Sequence, residues 1–303
     1  MPDISLLVGT RDGLFEFGSR ERKALAGHAV TAFCQQSGHS WALLDRCSIW
    51  RTSEDGSWKE LTRLDEGSRA HCLLPVGDSL LVGTSEARMR RLQDGVLVAV
   101  EAFDRVDGRD AWHTPWGGPP DTRSLCEDSR GAIFANVHVG GVVRSDDGGR
   151  TWRPTGLDIK TDVHQVIAHP AGAVLVAAAW GFGESRDDGH AWRFLNDGLH
   201  ARYLRAIALS GDTVLVSVSR GPRGGEAAVY RRPLEGDEPF VRCERGLPEW
   251  FADNIDTYRL AADGARVAFG TREGSVFLSE DGGETWNGVA SGLPAVECVT
   301  ILS

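Results

Sequence analysis

Four short stretches of the sequence share one polar pattern: Asp121-Thr-Arg123, Asp162-Val-His164, Tyr203-Leu-Arg205 and Asp256-Thr-Tyr258. In each, an acid or a tyrosine is followed two residues later by arginine, histidine or tyrosine, next to an apolar run. Residues i and i+2 of a strand share a face, so each pair offers two polar groups together. Arginine and histidine aimed at a concave site select carboxylate, phosphate or sulfate through charge-assisted bonds. Asp121, Asp162 and Asp256 would hold those arginines in place or carry protons, and His164 titrates near neutrality. Asp121, Asp256 and His164 are thus candidates for proton transfer.

Other segments add ligand-binding candidates: Arg11 in "VGTRDG", His138 in "NVHVGG", Trp180, and Arg272 in "FGTREG". Arg46 and Arg220, taken singly, read as solvated loop residues. The stiff stretch "DAWHTPWGGPPD" (110–121) carries Trp112, His113 and Trp116, and "GLPEWFADNID" (246–256) brings Trp250, Phe251 and Asn254. The first of these loops could simply cap the core, but an aromatic face also suits a sugar ring. His113, His138 and His164, with Asp121 or Asp162, have the donors of an open divalent-metal site. No local spacing such as H-x-x-x-H supports it, and the same histidines could act without metal.

Positioning such residues is the work of a repeat. The pair Gly-Leu recurs before apolar runs, with leucines at 157, 199, 247 and 293, so the steps are 42, 48 and 46 residues. A period in the forties is that of a four-stranded propeller blade. Each unit has an apolar run, a glycine turn and an alternating run, then a third strand entering a serine–aspartate turn and a tryptophan opening a fourth. In this register units start near Val30, Ala70, Thr122, Val163, Leu204 and Thr257. The tail "VECVTILS" reads as a lone first strand and the head "DISLLVGTRDGLFEFGS" as second and third strands. Joined, they complete a seventh blade and leave no sheet edge exposed. The fold expected is all-β: one domain over 1–303, a seven-bladed β-propeller of four-stranded antiparallel blades, closed by pairing the C-terminal strand with the N-terminal strands. A ligand site is then expected at one channel mouth, lined by the first-strand entrances and the loops joining second to third strands.

Composition agrees. The 303 residues include 37 Gly, 10 Trp and only 2 Met, which suits short strands and tight turns. A formal net charge of −10 argues against a surface that tracks nucleic-acid phosphates. No apolar run reaches a membrane span, and the N-terminus goes straight into a strand pattern, so a cytoplasmic protein without an export signal is expected. The six cysteines form no C-x-x-C pair and read as small buried hydrophobes in a reducing compartment.

The turns "SDDGGRTW" (145–152), "SRDDGHAW" (185–192) and "SEDGGETW" (279–286) keep serine, aspartate, glycine and tryptophan in one frame, and "SEDGSW" (53–58) is a shortened copy. Aspartate can accept bonds from nearby backbone N–H groups, and glycine can take positive φ. This resembles the Asp-box, or BNR, repeat of sialidase-like and photosystem assembly factor-like propellers. The resemblance implies that Asp55, Asp147, Asp187 and Asp281 are structural, on the rim away from the ligand. It further implies Arg123 and Arg205 as carboxylate ligands and Tyr258 as the nucleophile or acid. The Arg-Ile-Pro motif of true sialidases is absent, no glutamate is assignable as base, and seven blades replace six. Propeller lyases acting on uronic acids are similar in placing histidines and a metal at the channel mouth.

The sequence therefore points to an Asp-box propeller binding a small anionic, carboxylated or carbohydrate-like molecule, with hydrolase- or lyase-like turnover. No nucleic acid or membrane partner is expected, and a divalent metal is the one candidate cofactor. The alternative is a non-catalytic protein-interaction scaffold.

Overall fold

The computed structural model describes residues 5–18, 21–36 and 38–302. Asp3, Ile4, Ser19 and Ser303, at the ends of the predicted head and tail strands, lie outside the described residues. Among the described residues the strands form seven four-stranded antiparallel sheets, the blades of a seven-bladed β-propeller. The only α-helix among them is the four-residue Glu101–Asp104.

Blade 1 joins the chain ends: Val296–Leu302 pairs with Ser5–Thr10, followed by Gly13–Phe17 and Arg22–Ala24. The expected split blade is present. Blades 2 to 7 begin with Val30–Gln36, Ala70–Val76, Thr122–Glu127, Val163–Ala168, Tyr203–Ser210 and Leu260–Asp263. Four of these starts coincide with the sequence register, and blade 6 begins one residue early. Blade 7 begins three residues late, because Tyr258 adopts φ 68°, a left-handed turn conformation that a strand cannot contain.

The chain divides into two compact units. One comprises Met1–Thr31, Ala179–Phe182 and Leu195–Ser303; the other comprises Ala32–Ala178 and Gly183–Phe194. Within each, apolar side chains alternate inward and meet those of the next sheet. Ala32, Leu43 and Ile49 of blade 2 pack with Leu73, Leu80 and Val82 of blade 3. Phe134 and Val142 pack with Val166 and Val176, Leu215 and Val229 with Phe269 and Trp286, and Ala268 with Val8 and Val299.

Polar side chains on the first or second strand of one blade tie it to the first strand of the next, or to the segment entering it. Cys72 Sγ donates to Thr122 O, Asn136 Nδ2 to Val163 O, Ser217 Oγ to Ile255 O and Cys298 Sγ to Val30 O. The cysteines need room: a Cβ on Gly83 would lie 2.4 Å from Cys72 Sγ, and one on Gly9 2.5 Å from Cys298 Sγ. Glycine there is a requirement of close approach.

The repeated serine–aspartate turns link third to fourth strands. Asp147 Oδ1 accepts from the N–H groups of Arg150 and Thr151, both at 2.9 Å, and from Ser145 Oγ at 2.8 Å. Ser145 Oγ in turn accepts from Gly149 N–H, and Trp152 Nε1 donates to Gly149 O. Asp281 repeats this with Glu284, Thr285 and Ser279, and Asp187 keeps the bonds from Ala191 and Ser185. Gly149, Gly189 and Gly283 all have φ between 84° and 88°. These aspartates are consumed by their own turns.

Candidate functional site

One backbone feature recurs where the blades begin. In the pairing of first to second strands, the register slips by one residue around His71, Arg123, His164, Arg205 and Glu297. Such a bulge leaves one residue unpaired and re-aims its side chain, which is why bulges gather near functional sites. Tyr258 occupies the same position of blade 7. Arg123, His164, Arg205 and Tyr258 are the residues picked out by the repeated sequence pattern, whereas His71 and Glu297 fall outside it. The signal was present: aligning Cys72 with Ser124, both just before leucine, puts His71 opposite Arg123.

In the unit built on 32–178, these residues meet a compact cluster. His138 closes the second strand of blade 4, its N–H bonded to Asp121 O at 2.9 Å. Asp162 precedes the first strand of blade 5 with φ 54° and ψ 67°, a left-handed conformation. His138 Nε2 stands 2.7 Å and His164 Nε2 3.7 Å from the same Asp162 Oδ1. The histidine side chains are 4% and 1% exposed. Donor atoms of His138, Asp162 and His164 all lie within 4.8 Å of one another. Burial opposes the charge on Asp162, but the two imidazoles outweigh it and hold the carboxyl far below the usual range.

Around this cluster, Trp116 is 71% exposed with its ring 5.5 Å from that of His138. Asp121 faces His71 Nε2 at 3.5 Å and Arg123 at 3.9 Å, and Arg46 stands 3.3 Å from His71 Nδ1. Desolvation of Asp121 is outweighed by His71, Arg123 and His138, so its carboxyl is also lowered. The predicted third histidine, His113, lies apart from these donors: it is exposed, its Nδ1 2.8 Å from Ala111 O. Asp162 takes its place. Trp112 is buried against Phe103, so the loop's two tryptophans divide between core and site.

In the other unit, the predicted Arg11, Asp256 and Arg205 join Glu297 and Arg259 in a chain of ion pairs. Arg11 meets Glu297 at 2.9 Å, Arg259 meets Glu297 at 3.5 Å and Asp256 at 3.6 Å, and Arg205 meets Asp256 at 3.5 Å. Arg205 lies over the Tyr203 ring at 5.2 Å. Arg272 faces Asp253 at 3.8 Å, Trp180 is about half exposed with its carbonyl held by Asn196, and Arg220 pairs with Glu226. Phe251 packs on Phe269 and Phe277, and Trp250 stacks with His200 and Arg242. Each anion-binding arginine expected from sequence thus stands beside a carboxylate.

No protein-family model and no curated protein matches the chain. Among solved structures, the chain is similar to a catalytically inactive virginiamycin B lyase from Staphylococcus aureus with quinupristin, at 13% identity and TM-score 0.66, over 99% of both chains. It is similar to YCF48 bound to D1 peptide at 16% identity and TM-score 0.58, over 86% of this chain and 83% of that one. A GH74 enzyme of Niastella koreensis matches at 15% identity and TM-score 0.63, over 94% of this chain, which spans only 47% of that enzyme. These neighbours are seven-bladed β-propellers, and at such identity they establish the fold alone.

Proposed function

We propose that this chain is an Asp-box propeller that binds a small carboxylated, carbohydrate-like molecule over the His138–Asp162–His164 cluster and transforms it by proton transfer, as a lyase or hydrolase. The observation that carries this reading is two buried imidazoles facing one carboxylate oxygen beside the exposed Trp116. Buried ionisable groups in mutual contact, next to an open aromatic face, are the usual makings of a reactive site. Trp116 offers a platform for a ring, and Arg123 a fork for its carboxylate. The imidazole–carboxylate pairs supply the base and acid: His71–Asp121 on one side, the cluster on the other. In a β-elimination, a base takes the proton next to the ligand's carboxylate, the C=C bond forms and the C–O bond breaks, and an acid protonates the departing oxygen.

The repeated aspartate turns support the Asp-box assignment, and the six cysteines, all free thiols, suit a reducing compartment such as the cytoplasm. The enzymatic GH74 and lyase neighbours make turnover a fair expectation for this fold.

Calorimetry with D-galacturonate and oligogalacturonides, with glucose as the uncharged control, tests the reading. Binding of the acids but not glucose is expected, with an unsaturated product appearing in the ultraviolet. Arg123→Ala should weaken binding by about 1.5–3 kcal/mol, the range for bonds to charged groups. Uronates that neither bind nor react at saturating concentration would overturn it in favour of a protein-interaction scaffold.

A further inference from the structure

We infer that His138 Nε2, Asp162 Oδ1 and His164 Nε2 form a binding site for one divalent transition-metal ion of the zinc class, left open on the side of Trp116. The inference deepens the reading of this same site and rests on it for the metal's role in turnover, though metal binding itself does not require that reading.

The donor set comes first. Two imidazoles and one carboxylate suit zinc, cobalt or nickel, whereas magnesium and calcium demand mostly oxygen ligands. Ligands about 2.0–2.1 Å from a tetrahedral zinc stand roughly 3.3 Å from one another. The two separations to Asp162 Oδ1, 2.7 and 3.7 Å, bracket that value, and all three donor atoms lie within 4.8 Å of one another. Three protein ligands leave a fourth position, the arrangement of catalytic rather than structural zinc.

A second observation is independent of spacing. Asp162 Oδ1 is buried and accepts no hydrogen bond, although His138 Nε2 is only 2.7 Å away: the contact is close but not aligned as a hydrogen bond. A buried carboxylate oxygen whose neighbouring imidazoles are not aligned for hydrogen bonding is imperfectly satisfied, and a cation held between carboxylate and imidazoles would satisfy it.

The ligands are also held in advance. Asp162 sits in a left-handed conformation that side-chain-bearing residues rarely adopt, so its backbone is held against its preference. His164 is the bulged residue of its strand, His138 is pinned through its N–H to Asp121 O, and Asn136 Nδ2 ties blade 4 to Val163 O. Asp121, whose carbonyl accepts the His138 N–H at 2.9 Å, is a second acidic residue next to the ligand set. A metal held by His138, Asp162 and His164 would supply Lewis-acid polarisation of the ligand's carboxylate in place of the cluster's own acid–base role, leaving the His71–Asp121 pair for proton transfer.

The test is titration of chelator-treated protein with Zn2+ by calorimetry and with Co2+ by visible absorption. One ion per chain is expected, with intense cobalt bands and a melting temperature that rises with metal concentration. Asp162→Asn and His164→Gln, checked as folded by circular dichroism, should lose the stoichiometric ion. Asp121→Asn, outside the ligand set, should weaken binding about 10–100-fold. Wild-type protein binding no more ion than folded Asp162→Asn would overturn the inference. Uronate binding without metal would sink only the metal site; one bound metal without uronate binding would sink only the proposed substrate.

Discussion

His138 and Asp162, on two neighbouring blades, meet across 2.7 Å with almost no side-chain exposure on the histidine side. Asp162 holds that contact from a left-handed backbone position, where glycine is preferred.

Replacing Asp162 by glycine should therefore separate stability from function. Relief of the backbone conformation returns up to about 1 kcal/mol, offsetting the lost contact. The variant is expected to melt no lower than wild type while losing metal binding and turnover. A melting curve showing a loss of about 2 kcal/mol or more would make Asp162 a structural residue.

Asp147 and Asp281 answer a different question. Burial raises their carboxyls, but bonds from Thr151 or Thr285, the adjacent N–H groups and the serine hydroxyl prevail and hold both at about 2. A folded pKa below the unfolded one means stability that is present above the unfolded pKa near 4 and lost as pH falls towards 2. Asp147→Asn with Asp281→Asn should flatten the acid limb of a stability–pH curve between about pH 5 and 2. Alanine at either site should cost about 1–2 kcal/mol in urea unfolding and leave ligand affinity unchanged. Loss of affinity at constant stability would put a binding site on this rim.

Pairing of Val296–Leu302 with Ser5–Thr10 brings both chain ends into blade 1. Ile301 is buried there beside Leu6 and Val8. Ile301→Ala should lower stability by about 2–4 kcal/mol, and deletion from Glu297 onward should abolish cooperative unfolding. A deletion variant with an unchanged melting temperature would disprove that role.

Gly83 and Cys72 should be coupled. A methyl on Gly83 would meet Cys72 Sγ at 2.4 Å and Thr122 O at 2.9 Å. Gly83→Ala is expected to cost about 1–3 kcal/mol through overpacking. Adding Cys72→Ala should recover part of that loss, giving a coupling of at least about 0.5 kcal/mol in a double-mutant cycle. Strict additivity would remove the close-packing explanation for the glycine.

Much of the fold was legible in the sequence, for a local reason. The aspartate turns satisfy themselves within eight residues, and alternation within each strand sets its buried face, so Ser145–Trp152 or Thr213–Ser219 carry their conformation in their own composition. The spacing of the Gly-Leu pairs gave the blade period, and the orphan apolar run "VECVTILS" at 296–303 gave the split blade that brings the count to seven. Arg123, His164 and Arg205 were found because they repeat at one offset from an apolar run. His71 was missed by one residue, since the offset is set by a bulge and a bulge has no composition of its own.

The amino-acid sequence by itself determined the architecture, because period-two burial and the turn chemistry are short-range and repeat along the chain. Tertiary structure decided which polar residues share a site. It set Asp162 rather than His113 beside His138 and His164, and it gave Arg205 to Asp256 and Arg11 to Glu297. Residues such as Arg11 and Glu297, 286 positions apart, meet only when the ends of the chain enter one sheet. A charge in the sequence names no partner; burial and distance choose it, and with it the chemistry left for a ligand.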